Sequence, residues 1–335
     1  MNVLFRADAG VSIGSGHLMR CLGLAQHLHD EGMSCSLLTT AAEEPAVAHW
    51  REEEIGVREH PAESGSPEDA VATLAAAAAS GAQWIVADGY EFGLDWQRAV
   101  REGKPKLLCF DDVGGASFAA DLVVNQNPGA QDLSYDMESG GRVLAGADYV
   151  VLRREFRHLK PEASSGPPHL LVTFGGYDHD NLALAAMKEL AGLDVDFTAT
   201  VICSADAEGL AAAQTFAASH PDRFRVLPPT DIALLMAAAD LALCAGGTTT
   251  LEMAALGVPM VLVTLADNQE PGAAALAEVG CARLAGRGAT VLGQATKTLD
   301  DLMRHVVARV DMGRAGAALV DGRGVERISG ALQEV

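Results

Sequence analysis

At 335 residues, 49% of them hydrophobic, the chain is long enough for two domains with sizeable cores. Its 24 basic and 45 acidic side chains leave a net charge of −21, which would repel a phosphate polymer or an anionic membrane surface. Nucleic acid is therefore not an expected partner, and a bound phosphate would have to be held locally by backbone amides. Cys21, Cys35, Cys109, Cys203, Cys244 and Cys281 are scattered without CxxC spacing, so reduced, buried thiols are expected, with no metal and no disulfide framework. No basic, apolar, cleavable leader is expected, and no run reaches the roughly 18 apolar residues of a membrane span. A cytoplasmic protein without membrane insertion is the expectation.

The apolar run Val3 to Phe5 leads into RADAGVSIGSGHLMRCLGLA, residues 6–25, where Leu18, Leu22, Ala25 and Leu28 recur at helical spacing. The order is strand, glycine loop, helix. Gly10, Gly14 and Gly16 let the backbone turn tightly and approach a ligand, with the amides of the helix start facing it. This is neither a GxGxxG fingerprint nor a P-loop, because no Lys-Ser/Thr pair follows the glycines. His17 stands at the mouth of the loop. The positive end of the helix disfavours imidazolium, so a neutral side chain able to take a proton is expected near pH 7, with a capping or packing role as the alternative.

Cys35 to Leu38 reads as a second buried strand, followed by the acidic segment Glu52 to Glu54, a turn-rich stretch through Gly65 and Pro67, and an alanine-rich helix over 70–79. Three short apolar runs then end in polar residues: Trp84 to Ala87 before Asp88-Gly89-Tyr90, Leu107 to Phe110 before Asp111-Asp112, and Leu122 to Val124 before Asn125-Gln126-Asn127. Such runs alternating with helices suggest a parallel sheet, whose ligands collect beyond the carboxyl ends of the strands. Asp111 and Asp112 read as a helix cap or solvated turn, with a paired-carboxylate metal site as the weaker alternative.

Residues 153–168 lack apolar periodicity and read as a linker between domains at 1–152 and 169–335. Leu170 to Phe174 then restarts the pattern as a strand, with Gly175-Gly176-Tyr177-Asp178 as a loop and Asn181 opening a helix. Strands follow at Thr198 to Cys203 and Phe224 to Leu227, and Asp231 is the expected cap of a helix through Ala239. Leu241 to Cys244 delivers AGGTTTLEMAALGVPM, residues 245–260, then a strand to Leu265 and Asp267-Asn268-Gln269. Gly246 and Gly247 permit close approach, the amides and hydroxyls of Thr248 to Thr250 suit a diphosphate, and Glu252 in the first helical turn has two oxygens for the hydroxyls of a ribose. A buried strand-to-helix turn is the plainer alternative.

The 6–25 string, the DGY at 88–90, FGGYD at 174–178, the 245–269 block and DGRGVERI near the C-terminus together resemble the UDP-2,4-diacetamido-2,4,6-trideoxy-β-L-altropyranose hydrolases of pseudaminic acid biosynthesis. The 245–269 block also resembles the donor-binding half of GT-B glycosyltransferases. The resemblance implies an α/β GT-B fold of two Rossmann-like domains with the active-site cleft between them, the final helix, about Arg323 to Gln333, crossing back toward the first domain. It implies a UDP-sugar hydrolase in which His17 activates water, Gly14, Gly16, Tyr90, Asn268 and Gln269 meet the substrate, Ile232 frames the base, Gly246, Gly247, Thr248 and Thr249 take phosphate, and Glu252 binds the ribose. No cofactor is implied. Where that family has GlyGlySerAsp followed by Pro, this chain has Tyr177 and His179, which leaves the sugar open. A GT-B glycosyltransferase and a non-catalytic nucleotide-sugar binder are the alternatives.

Overall fold

The first strand, β1 (Asn2–Ala7), is buried on both faces, as a central strand of a parallel sheet must be: Val3 and Phe5 pack on one side and Leu4 on the other. The computed structural model describes every residue except 11, 12, 139, 162–165, 177, 179, 204 and 205. Tyr177, His179 and the linker serines Ser164 and Ser165 therefore lie outside the described residues.

After β1 come α1 (Gly16–Asp30), β2 (Ser34–Thr39), α2 (Pro45–Glu52), β3 (Gly56–Glu59), α3 (Pro67–Ser80), β4 (Trp84–Asp88), α4 (Leu94–Arg101) and β5 (Lys106–Phe110). The short β6 (Ser117–Phe118) and β8 (Asp136–Met137) pair with each other, while β7 (Leu122–Asn125) and β9 (Arg142–Ala145) complete a seven-stranded parallel sheet ordered β3-β2-β1-β4-β5-β7-β9. The expected helix over 70–79 starts earlier, because Ser66 caps it through Asp69 N and Pro67 fits the first turn.

A short α5 (Arg154–Arg157) precedes the second half. There β10 (His169–Thr173), α6 (Leu182–Ala191), β11 (Thr198–Ile202), α7 (Ala207–Ala218), β12 (Phe224–Leu227), α8 (Ala233–Ala237), β13 (Leu241–Ala245), α9 (Thr249–Ala255), β14 (Met260–Thr264), α10 (Glu270–Val279) and β15 (Ala282–Arg287) follow in turn. The sheet order, β12-β11-β10-β13-β14-β15, is the doubly wound one, with its switch point between β10 and β13. In the first half the corresponding switch lies between β1 and β4. Two helices, α11 (Leu292–Arg304) and α12 (Val306–Leu319), follow, and α13 (Gly324–Glu334) ends the chain.

The chain divides into two compact units, 1–154 with 322–335, and 155–321. The second unit thus stops at Asp321, short of the 169–335 expected, and the last helix belongs to the first unit. Val325, Ile328, Ala331 and Leu332 of α13 join the core that contains Val3, Phe5 and α1, and Trp84 Nε1 donates to Leu332 O at 3.1 Å. The start of the expected linker is likewise tied down: Arg154 pairs with Asp30 and Glu53, both at 2.6 Å, and its amide donates to Gln26. Asn181 opens α6 as expected, at the position before its first residue, while the buried Asp178 side chain caps the helix by accepting from the amides of Leu182 and Ala183 at 2.7 and 2.9 Å. Asp231 does accept from Ala233 N, but α8 ends at Ala237 rather than Ala239.

Candidate functional site

The end of β1 and the start of α1 present a tight loop in which Gly10 and Gly14 exchange backbone hydrogen bonds, at 3.1 and 2.7 Å. Gly14 has φ +75°, a conformation costly for any side chain, and a Cβ added there would meet nothing within 4 Å. Gly16 opens α1, and His17 is its second residue, 8% exposed. Its Nδ1 lies 2.7 Å from Oδ1 of Asp88, the last residue of β4, the strand across the switch point. Asp88 is an acceptor, so Nδ1 carries the hydrogen and Nε2 is the nitrogen left as base.

Asp88 is in turn held by Arg20, one helical turn beyond His17. Arg20 Nε donates to Asp88 Oδ2 and Nη2 to Oδ1, both at 2.7 Å, and the same guanidinium reaches Asp112 at 2.6 and 3.0 Å. Asn127 also donates to Asp112, at 3.2 Å. Tyr90 stands edge-on to the His17 ring at 5.0 Å, half exposed, with its hydroxyl donating to Asp112 at 3.3 Å. His17, Tyr90 and the 14–16 loop are therefore gathered at one end of the sheet.

The electrostatics overturn the expectation of an imidazole biased neutral by the helix end. Burial is the largest influence on His17 and favours the neutral form, but the charge and hydrogen bond of Asp88, with help from Asp112, outweigh burial and Arg20, and the pKa is raised from 6.5. Burial alone would lift Asp88 and Asp112. Arg20 and His17 reverse this, lowering Asp88 below its usual 3.8 and bringing Asp112 down to about 2.

From sequence Asp88 and Asp112 read only as polar strand ends, without a role at the site, and Arg20 is not singled out. Asp112 is neither cap nor solvated turn but half of a buried ion pair, while its neighbour Asp111 accepts from Gly114 N and Asn125 Nδ2. The signal was the spacing of His17 and Arg20, three apart on one helical face, with a carboxylate closing the neighbouring strand. The other charges of RADAG serve the fold: buried Arg6 bonds to Asp69 and Asp8, and Asp8 also accepts from Thr40 N and Ser64 Oγ.

In the second unit, Gly246, Gly247 and Thr248 link β13 to α9 beside the switch point. Among the described residues nothing accepts from the amides of Gly247, Thr248 or Thr249, whereas the α6 amides beyond β10 are taken by Asp178. That leaves the 247–249 amides able to take an anion. A Cβ at Gly247 would meet nothing within 4 Å, whereas one at Gly246 would sit tightly against Ala273 Cβ at 3.3 Å. Glu252 is half-buried in the first turn of α9, and Ile232 precedes α8. Asn268 is exposed on the turn after β14. Gln269 accepts from Leu265 N at 2.8 Å through its side-chain oxygen and so shapes that turn.

Over the whole backbone the chain is similar to the crystal structure of MurG from Acinetobacter baumannii, with a TM-score of 0.69, 20% identity and coverage of 100% of this chain and 99% of that one. The fold is of the GT-B type. Residues 183–317 match the glycosyltransferase family 28 C-terminal domain. By sequence the chain is 26% identical over 275 residues to the uncharacterized protein MJ1062 of Methanocaldococcus jannaschii, covering 78% of this chain and 55% of the other. It therefore spans little more than half the length of that relative. It is also 25% identical over 283 residues to the UDP-2,4-diacetamido-2,4,6-trideoxy-beta-L-altropyranose hydrolase of Campylobacter jejuni, covering 84% of this chain and 97% of that one. No helix among the described residues is long and apolar enough to cross a membrane.

Proposed function

We propose that the chain is a UDP-sugar hydrolase that cleaves the C1–O bond of UDP-2,4-diacetamido-2,4,6-trideoxy-β-L-altropyranose, or a close analogue, releasing UDP and the free sugar for pseudaminic acid synthesis. The observation that carries the reading is the His17–Asp88 couple: a buried imidazole held through Nδ1 by an ionised carboxylate, which is the arrangement of a general base. The similarity to the Campylobacter hydrolase, nearly end to end, supports the choice of substrate.

In this reading the second unit holds the nucleotide: the amides of the 247–249 loop and the hydroxyls of Thr248 and Thr249 take the diphosphate, Gly246 and Gly247 let it approach, Glu252 accepts from the ribose hydroxyls, and Ile232 borders the base. Gly14, Gly16, Tyr90 and Asn268 meet the sugar. His17 Nε2 removes a proton from water as its oxygen bonds to C1. The C1–O bond breaks, the electron pair leaves on the diphosphate, and the anomeric centre inverts. Charge grows on the leaving phosphate, where a single oriented donor is worth about 2.7–4 kcal/mol by analogy with oxyanion holes. Carried out in water enriched in oxygen-18, turnover puts the label on C1 of the sugar; label in UDP would overturn C1–O cleavage.

A second reading is favoured by the family 28 match over 183–317: a glycosyltransferase in which an acceptor hydroxyl replaces water. His17 would serve either nucleophile. UDP release that depends on an added acceptor decides for the transferase, and tight UDP-sugar binding without turnover decides for a non-catalytic binder.

A further inference from the structure

The most heavily engaged side chain beside His17 is one to which the hydrolytic reading gives no task. Arg20 is 4% exposed, lies over the Phe110 ring at 4.8 Å, and directs two forks of its guanidinium at two carboxylates from different strand ends. We infer that Arg20 is a positioning residue for the base: it fixes Asp88 against His17 Nδ1 and offsets the paired charges of Asp88 and Asp112, so that the imidazole stays able to accept a proton near neutral pH.

The geometry leaves Asp88 little freedom. Each of its oxygens accepts from Arg20 at 2.7 Å, and Oδ1 accepts from His17 at the same distance, so the carboxylate plane is set by the guanidinium and in turn sets the imidazole. A lysine could supply the charge but not the planar double fork.

The charge balance points the same way. The groups facing His17 are Asp88 and Tyr90 from the end of β4, Asp112 from the segment after β5, and Arg20 on its own helix, with the Cys21 thiol 3.9 Å from Asp88. Two carboxylates and one guanidinium leave one net negative charge beside a neutral imidazole. Without Arg20 there would be two, and imidazolium would be favoured strongly. Arg20 Nη2 is itself 3.3 Å from Nδ1, close enough to oppose the proton directly.

The inference rests on the proposed role of His17, but its test does not need turnover. Titration of 15N-histidine-labelled protein by NMR, with the His17 signal identified by its loss in His17→Asn, should show the midpoint rising by about 1–3 pH units in Arg20→Met and by less in Arg20→Lys. The acid limb of UDP release should move up with it, and the Asp88→Asn midpoint should move down. An Arg20 of purely structural use would lower the melting temperature and leave the His17 midpoint in place; that result, in folded Arg20→Met or Arg20→Lys, overturns the inference. Should Arg20→Met not fold, Arg20→Lys carries the same two outcomes. A shifted midpoint in a protein whose wild type releases no UDP upholds the inference and removes the hydrolase reading.

Discussion

Asp88 Oδ1 lies 2.7 Å from His17 Nδ1 and joins the last residue of a central strand to the first turn of the opening helix. Two residues 71 positions apart thus form one hydrogen-bonded pair at the switch point of the first sheet, where open parallel sheets bind their ligands.

The pH dependence follows from that contact. Protonated His17 cannot act as a base, and its folded pKa is raised above 6.5 by Asp88 and Asp112 against burial and Arg20. The kcat/KM of UDP release, which follows the free enzyme, should fall as pH drops through that raised value, so the acid limb sits above the ordinary imidazole range. In Asp88→Asn it should lie lower, with a reduced plateau. A limb at or below 6.5 in the wild type contradicts this electrostatic account.

Linkage gives a companion effect on stability. For His17 the raised pKa stabilises the fold below 6.5, and that contribution is lost as pH rises through the folded value. Asp88 and Asp112, both lowered, contribute above about pH 3.8 and lose it as pH falls through their folded values, about 2 for Asp112. Urea unfolding of the wild type and Asp112→Asn should therefore differ at pH 6 and converge toward pH 2.

Gly246 and Gly247 should separate packing from binding. Gly247→Ala places its methyl in open space, so the melting temperature should hold while calorimetry shows weaker UDP binding. Gly246→Ala presses on Ala273, Gln269 and Thr264 and should destabilise the protein by about 1 kcal/mol. Equal UDP affinity in Gly247→Ala and in Glu252→Ala would remove the nucleotide from this loop.

The return of the last helix to the first unit has its own test. A Cβ on Gly324 would fall 2.2 Å from Val150 O, and backbone cannot step aside as a flexible side chain does. Gly324→Ala should cost about 1–3 kcal/mol or more in thermal unfolding, and an unchanged melting temperature would argue that α13 docks differently.

Buried strands and glycine loops were legible in the sequence because each is a local pattern. β1, β4, β10 and β13 are apolar runs closed by polar or glycine residues, and all fall within two residues of their expected bounds. His17 and Tyr90 are singled out through the strings they belong to, and their rings lie 5.0 Å apart. What was not legible depended on distant partners: Asp112 looks like a turn residue until Arg20 arrives from α1, and Arg154 looks like linker until Asp30 and Glu53 meet it. The bias on His17 was misjudged for the same reason, since a helix end acts weakly beside an ionised carboxylate at hydrogen-bond distance.

The most direct measurement is UDP release from the diacetamido-trideoxy-altrose nucleotide, without acceptor and in EDTA, by wild type and His17→Asn. Asparagine retains a donor toward Asp88, so the variant should fold. Release by the wild type, with a loss of about 100- to 10,000-fold in the variant, is the predicted result. Equal turnover by the two proteins would contradict the account, because it would take His17 out of the chemistry.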